Sequence, residues 1–198
     1  MFYRILRFIS KVLFTVFLGF KACGVENIPK EGGFILASNH VSYLDPIAVG
    51  IACRRKLNYM AKEELFSTPF RSWFFRALNC FPVKRDSADL SAIKEAMRRV
   101  KAGEGLLLFP EGSRRFEKGP KEPYAGVGFL TAKLDVPVIP AFINGSDKAL
   151  PAGAKSVRLT GVSVSFGKQI PIERRMPYQD IAKLIMDDIR HLSCAGLS

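Results

Sequence analysis

Short, uninterrupted apolar runs that alternate with helical patterns are the feature that most constrains the fold of this chain. Such runs occupy residues 34–38, 105–109 and 136–143. An apolar run of this length is typical of a strand that is buried on both faces of a sheet, because helices cover the two sides of parallel sheets. The alternation of runs and helical patterns therefore predicts an α/β fold.

Beyond residue 20, four segments of the chain have a helical pattern. They span residues 46–53, 69–79, 88–102 and 177–192. Residues 157–166 instead alternate apolar and polar positions with a period of two, which predicts one or two half-exposed strands towards the sheet edge. Because the chain has 198 residues and no linker-like stretch, we expect a single domain. Its centre would be a mixed, largely parallel sheet flanked by helices.

A histidine and an aspartate, His40 and Asp45, stand five residues apart directly after the first apolar run. Loops that follow strands are where α/β sheets place their chemistry. A carboxylate at Asp45 would accept from His40 Nδ1–H, which leaves Nε2 free to take a proton from an alcohol. The pair Asp45 and Pro46 is also typical of an ordinary helix N-cap followed by the first helical residue, so the capping interpretation stays open.

The chain offers no protein nucleophile in a recognisable context. There is no G-x-S-x-G motif, and neither Ser42 nor Ser113 has a second histidine nearby in the sequence. A histidine base without a nucleophile favours direct transfer. In such a reaction the hydroxyl of one substrate attacks the other while His40 removes its proton.

Two further strand ends carry cations. Residues 80–85 end on Lys84 and Arg85, and the run at 105–109 is followed by Glu111, Gly112, Ser113 and Arg114. The planar fork of arginine suits bidentate phosphate binding, and a glycine lets backbone N–H groups approach a ligand. Two simpler interpretations stay open: the arginines are solvated surface cations, and Glu111 balances a neighbouring arginine.

The charge of the chain points to a polyanionic partner. Thirty Lys and Arg residues against eighteen Asp and Glu give a formal charge of +12, which suits an anionic membrane, a phosphorylated substrate or nucleic acid. Nucleic acid is disfavoured, because most Phe residues fall at core or membrane-facing spacing and are not interleaved with exposed cations. The four cysteines form no C-x-x-C and no Cys/His cluster, so we expect no metal site.

The first twenty residues predict an amphipathic helix at a membrane interface. Arg4, Arg7 and Lys11 recur at helical spacing among large apolar residues, and the longest uncharged run, residues 12–20, is only nine residues long. A membrane-spanning helix needs about 20 apolar residues, so we expect a helix that lies in the interface and faces anionic headgroups. A signal peptide is disfavoured because no small-x-small cleavage site follows. A helix packed on the protein's own core remains an alternative.

Four segments of the chain, in this order, resemble the conserved blocks of the glycerolipid acyltransferase family, closest to the bacterial 1-acylglycerol-3-phosphate (lysophosphatidate) acyltransferases. The blocks correspond to residues 40–45, which have the HX4D pattern, and to residues 81–85, 109–114 and 136–140. The resemblance covers roughly residues 25–143. It implies a glycerolphosphate acyltransferase-like fold. The catalytic domain would span residues 21–198, after the interface helix at residues 1–20.

The resemblance also implies a reaction and a set of site residues. A fatty acyl group would pass from acyl-CoA or acyl-ACP to the free sn-2 hydroxyl of 1-acylglycerol-3-phosphate, giving phosphatidic acid at the cytoplasmic face of the cell membrane without a cofactor or a metal. His40 would be the base, and Asp45 would orient it. The phosphate of the acceptor would be bound by Arg85, Glu111, Gly112, Ser113 and Arg114, with Lys62 as a weaker candidate.

One segment departs from the family pattern. Residues 116–124 are longer and are interrupted by prolines, which leaves the preference for the acceptor open. A lysolipid with a larger headgroup or an amino-acid lipid is therefore an alternative acceptor, and a catalytically silent membrane-surface protein is an alternative of another class. Residues 136–140 are expected to be a sheet strand and not a catalytic element.

Overall fold

The structure is a computed structural model, and it describes residues 2–84, 89–112, 122–151, 153–173 and 175–195. The helices are α1 (Phe2–Leu18), α2 (Asp45–Ala52), α3 (Pro69–Ala77), α4 (Leu90–Lys101), α5 (Ala125–Leu134), α6 (Ser146–Ala149) and α7 (Tyr178–Ala195). The strands are β1 (Lys21–Cys23), β2 (Phe34–Ser38), β3 (Leu57–Lys62), β4 (Cys80–Val83), β5 (Gly105–Leu108), β6 (Val138–Asn144) and β7 (Ser163–Phe166). Two short 3-10 helices span Val25–Asn27 and Glu63–Phe66.

All seven strands belong to one sheet, in the order β1-β7-β6-β2-β5-β3-β4. Neighbouring strands are parallel except for β6 and β7, which pair antiparallel. The prediction of a mixed, largely parallel sheet flanked by helices is thus confirmed. As a result, β1 and β7 lie at one side of the sheet and run in the opposite direction to the other five strands. The predicted site residues follow strands of this group of five.

Strand β2 is the centre of this arrangement and is buried along its whole length. Ala37 lies opposite Leu108 of β5, and Ser38 lies opposite Ala141 of β6. Because these strands are parallel, the loops that follow β2 and β5 leave the sheet at the same edge. Residues after position 38 and after position 108 are therefore brought together although they are far apart in sequence.

The helices form one layer on each face of the sheet. Phe14, Leu18 and Val49 of α1 and α2 belong to the core on one face. On the other face, Leu130 of α5 and Ile185 of α7 belong to a second core. The two layers explain why β2 and β5 are apolar without alternation, since neither face of these strands meets solvent.

Arg99 of α4 connects its helix to the adjacent strands. Its guanidinium donates to Asn58 Oδ1 at 2.7 Å and to the carbonyl of Asn79 at 3.2 Å, and it lies over the ring of Phe81 at 4.8 Å from the centroid. Glu95, one turn earlier, accepts from Arg99 Nε at 2.7 Å. This cluster holds the α4 layer against β3 and β4.

The predicted elements agree with the structure in type and differ at some ends. Strand β2 has the predicted bounds, whereas α4 begins at Leu90 because Asp89 caps it by accepting from the backbone N–H groups of Ser91 and Ala92. The predicted strand over residues 157–166 is reduced to β7, because the N–H of Arg158 donates to the carbonyl of Ala149 at 2.7 Å and not to a strand. Four elements, β1, β3, α5 and α6, had no predicted counterpart, and neither had the two 3-10 helices.

Helix α1 packs on the domain along one face only. Phe14 and Leu18 are buried in the core, and Arg7 donates to the carbonyl of Cys53 at the end of α2. Eight apolar side chains of α1 are exposed; these are Phe2, Ile5, Phe8, Ile9, Val12, Leu13, Val16 and Phe17. In the part of the chain that the structure describes, no helix has both the length and the apolar character needed to cross a membrane.

Candidate active site

The side chains of His40 and Asp45 are in direct contact at the end of β2. His40 Nδ1 lies 2.9 Å from Asp45 Oδ2, and the two residues are 8% and 0% exposed. A carboxylate oxygen only accepts, so Nδ1 carries the proton and donates it to Oδ2. In the neutral ring this leaves the lone pair of Nε2 available to accept a proton.

Asp45 is not the N-cap of α2, which was the alternative interpretation that the sequence left open. Helix α2 begins at Asp45 itself, and the preceding Leu44 has a helical backbone and makes no side-chain cap. The carboxylate turns back to the loop, where Oδ2 accepts from the N–H groups of Val41 at 2.6 Å and Ser42 at 2.7 Å. These two donors, together with His40, hold the carboxylate away from the first turn of the helix and fix its orientation.

The ring of Phe109 stacks on the imidazole of His40. The ring centroids are 4.0 Å apart, and the planes differ by 17°. Phe109 directly follows β5, so the parallel register of β2 and β5 brings it beside His40. Sequence reasoning placed Phe109 in a motif but assigned it no role, and the register of the two strands was the signal that could have revealed it.

Two polar side chains fix the loop on either side of His40. The amide of Asn39 pairs with the backbone of Ile143, since Nδ2 donates to its carbonyl at 2.9 Å and Oδ1 accepts from its N–H at 2.8 Å. Ser42 Oγ donates to the carbonyl of Leu150 at 3.1 Å. Sequence reasoning missed both roles. The loop that carries His40 is thus tied to β6 and to the segment that follows α6.

Glu111 and Gly112 lie in the turn that follows β5, at the same edge of the sheet as His40. Glu111 is buried. Gly112 has a φ of 65°, and a Cβ at this position would lie 2.6 Å from the ring of Tyr124. A glycine is therefore required here by the left-handed backbone and by the packing of Tyr124.

Lys62 is the last residue of β3, and its side chain is exposed. It lies opposite Val83 of β4 in the parallel register, so Lys62 and Lys84 leave the sheet at the edge that carries His40. Two inter-strand steps separate β3 from β2, which corresponds to about 10 Å along the sheet. The other predicted phosphate-site residues, Arg85, Ser113 and Arg114, lie outside the described residues.

Cys53 and Cys80 are buried in the described part of the chain, and neither has the properties of a nucleophile. Burial raises the pKa of the Cys53 thiol to about 11 and that of the Cys80 thiol to about 12. Both thiols are therefore protonated at neutral pH, and the thiolate is the reactive form. Within the described residues, no group of His, Cys, Asp and Glu side chains is arranged to hold a metal ion.

The described part of the site is equipped for acid–base chemistry. His40 has one ring nitrogen bound to a buried carboxylate and the other available to accept a proton, while Phe109 fixes the plane of the ring. Lysines project from the ends of β3 and β4 at the same edge. This arrangement suits a reaction in which a hydroxyl is deprotonated while an anionic group of the same molecule is bound nearby.

Comparison with known proteins gives the class to which this fold and site belong. The model of the acyltransferase family matches residues 20–144. The crystal structure of the 1-acyl-sn-glycerophosphate (LPA) acyltransferase PlsC from Thermotoga maritima superposes with a TM-score of 0.77 at 25% sequence identity, over 96% of this chain and 79% of that chain. The chain belongs to the acyltransferase family.

Several relatives are similar in sequence, and two of them are described. The 1-acyl-sn-glycerol-3-phosphate acyltransferase of Bacillus subtilis is 32% identical over 136 residues, which cover 68% of this chain and 67% of the relative. The chloroplastic 1-acyl-sn-glycerol-3-phosphate acyltransferase BAT2 of Brassica napus is 30% identical over 173 residues, which cover 85% of this chain and 48% of the relative. The chain thus spans about two thirds of the bacterial relative and about half of the plant relative.

Proposed function

We propose that this acyltransferase moves a fatty acyl group from an acyl thioester to the free sn-2 hydroxyl of 1-acylglycerol-3-phosphate, giving phosphatidic acid. The observation that carries the proposal is the contact of 2.9 Å between His40 Nδ1 and Asp45 Oδ2 at the end of the central strand. The acceptor is inferred from the relatives, whose names specify 1-acyl-sn-glycerol-3-phosphate.

In the proposed mechanism, His40 acts first as a base and then as an acid. Its Nε2 takes the proton of the sn-2 hydroxyl while the hydroxyl oxygen attacks the thioester carbonyl carbon. The tetrahedral intermediate collapses with cleavage of the C–S bond, and the departing thiolate takes the proton from the imidazolium. Asp45 stabilises the imidazolium that exists between the two transfers. Such general-base assistance contributes about 10²- to 10⁴-fold, so positioning of the acceptor must supply a further share.

We propose that cations at the sheet edge provide that positioning by binding the phosphate. Lys62 is exposed at the end of β3, and the sequence places Arg85 two residues after β4 and Arg114 six residues after β5. Ser113, Glu111 and Gly112 would shape the turn between β5 and Arg114. A phosphate bound there would direct the sn-2 hydroxyl towards Nε2 of His40.

Helix α1 would hold the enzyme at the surface of an anionic membrane, where both the acceptor and the product reside. Its eight exposed apolar side chains support this proposal, and so do the exposed cations Arg4 and Lys11. Apolar burial and attraction to anionic headgroups then act together. We propose a peripheral location at the cytoplasmic face of the cell membrane, as the family resemblance implies.

The function is tested with purified full-length protein, lipid vesicles, lysophosphatidate and two alternative donors, acyl-CoA and acyl-ACP. We expect phosphatidate from the wild type and none from His40→Ala, whereas His191→Ala should retain full activity. His191 is the second histidine of the chain, and its side chain is 83% exposed on α7. Full activity of a folded His40→Ala variant would reject the mechanism, and turnover only with a lysolipid of larger headgroup would reject the acceptor.

A further inference from the structure

Helix α3 presents an apolar surface to solvent. None of its nine residues is buried, and the side chains of Phe70 and Trp73 are 71% and 56% exposed. Phe70, Trp73 and Phe74 recur at spacings of three and four, so they form one stripe along the helix. A surface helix of a soluble enzyme normally directs such a stripe to the core, and here the stripe points outwards.

The aromatic stripe of α3 is continuous with the exposed apolar face of α1. The ring of Phe2 lies 5.4 Å from that of Trp73 and 6.1 Å from that of Phe74. Phe70 lies 6.1 Å from Trp73. Because Phe2 is itself one of the exposed apolar residues of α1, the two helices share a single apolar surface that no described part of the chain covers.

Cations border this shared surface. Arg71 and Arg76 are exposed on α3, and at 100° per residue they fall on opposite sides of the stripe that contains Phe70 and Trp73. Arg4 and Lys11 are exposed on α1. An apolar stripe between cations is complementary to a bilayer with anionic headgroups, in which the cations meet phosphate groups and the rings enter the acyl boundary.

We infer that α3 is a second membrane-contacting element, which together with α1 forms one two-helix face that docks on an anionic phospholipid bilayer. Phe70 enters the acyl boundary, and Trp73 lies at headgroup depth, where the amphipathic indole ring is favoured. The inference rests on the proposed function for its choice of a lipid bilayer as the partner. The contact at Phe2 and Trp73 is the observation that makes the two helices one surface.

The position of α3 in the fold gives this contact a consequence for the reaction. α3 connects β3, which ends at Lys62, to β4, which leads to Lys84. A single interfacial helix leaves the domain free to rotate about the helix axis, whereas two helices that touch the bilayer fix the orientation of the domain. The edge of the sheet that carries Lys62 is then held at a constant height above the phosphate groups.

Trp73 tests the inference directly because it is the only tryptophan in the chain. We expect its fluorescence to shift to the blue when the full-length protein binds phosphatidylglycerol vesicles, and to be quenched by lipids that are brominated on the acyl chains. The control is Trp73→Phe combined with Leu90→Trp. Leu90 is 65% exposed at the start of α4, and the buried residues of α4 belong to the core on the face of the sheet opposite to α1. The new tryptophan should be neither shifted nor quenched.

Substitutions on α3 provide a second measurement. We expect Phe70→Ser to lower the partition coefficient into vesicles by roughly tenfold, whereas Leu90→Ser leaves it unchanged. Arg71→Gln and Arg76→Gln should each lower it by about fivefold with anionic vesicles and have no effect with phosphatidylcholine alone.

Two outcomes would overturn the inference. In the first, the protein floats with the vesicles but the emission of Trp73 stays unshifted and unquenched, so α1 alone makes the contact. In the second, the blue shift appears without lipid when the protein is concentrated, so the face binds a second copy of the chain. Because the measurement is fluorescence and not turnover, neither outcome decides whether the proposed reaction occurs. That question is answered by the activity assay described above.

Discussion

The rings of His40 and Phe109 lie nearly parallel, with their centroids 4.0 Å apart. The contact joins the loop after β2 to the residue that follows β5, so it depends on the register of two strands that are far apart in sequence. A phenyl ring in this position blocks rotation of the imidazole. The negative face of its π system also attracts the imidazolium that forms on protonation.

Replacing Phe109 by leucine should therefore slow the reaction without weakening acceptor binding. We expect kcat to fall by about ten- to a hundredfold because the imidazole is no longer held in one plane, with KM for lysophosphatidate little changed. Steady-state kinetics on vesicles measure both constants. Phe109→Tyr keeps the ring and should retain most of the activity; an equal loss in both variants would show that stacking is not the cause.

Asp45→Asn should abolish most of the activity while it preserves the shape of the side chain. We expect kcat to fall by roughly 10²- to 10⁴-fold, because the amide no longer stabilises the imidazolium of His40. The melting temperature should also fall, since a neutral amide oxygen accepts less strongly than a carboxylate from the N–H groups of Val41 and Ser42. Asp147→Asn, at an exposed position on α6, is the matched control and should change neither quantity.

Arg114→Ala should act chiefly on the acceptor. We expect KM for lysophosphatidate to rise by roughly tenfold, because a charged hydrogen bond to the phosphate is lost. KM for the acyl donor should stay constant. Lys101→Ala removes an exposed cation at the end of α4 and serves as the control; if both variants behave alike, Arg114 is not part of the phosphate site.

The buried thiols should resist alkylation in the folded protein. Burial raises the pKa of Cys53 to about 11 and that of Cys80 to about 12, so the thiolate fraction is negligible near neutral pH. Cys23 is exposed on β1 and should react with iodoacetamide. Peptide mass spectrometry before and after unfolding in guanidinium checks this, and rapid labelling of Cys53 in the native state would contradict the packing of α1 against α2.

Glu95 should stabilise the protein in a pH-dependent manner. Hydrogen bonds from Arg98 and Arg99 lower the pKa of Glu95 from 4.5 to about 2. Since the pKa is lowered in the folded state, the stabilisation is present above about pH 4.5 and is lost as the pH falls towards about 2. We expect Glu95→Gln to cost about 1 kcal/mol of the free energy of unfolding at neutral pH.

Urea unfolding of Glu95→Gln and of the wild type checks this prediction. The difference between their free energies of unfolding should shrink at acid pH. Glu173→Gln, at an exposed position before α7, provides the control. A difference that grows as the pH falls would mean that Glu95 is not held as a carboxylate by the two arginines.

The parts of the fold and site that could be predicted were those in which the signal is local. The apolar run at β2 and the spacing of His40 and Asp45 lie within a dozen residues of one another, so strand, loop and contact could be expected together. The N-cap alternative for Asp45 could not be excluded from the sequence, because a cap pattern does not reveal that two N–H groups of the preceding loop donate to the same carboxylate.

The parts that could not be predicted depend on long-range register. Phe109 meets His40 only because β5 pairs with β2, and Asn39 meets Ile143 only because β6 lies on the other side of β2. The reason for Gly112 was likewise hidden, since the ring of Tyr124 that excludes a Cβ comes from beyond the turn. Nothing in the local sequence marks these partners.

Phe14 and Leu18 hold α1 on the domain, because both side chains are buried in its hydrophobic core. Detaching the helix from the domain would open a hydrophobic core, so the proposed binding of α1 to lipid is thermodynamically linked to the stability of the fold. A helix attached in this way cannot be transplanted alone into another protein, because its inner face has to fit the particular core on which it lies.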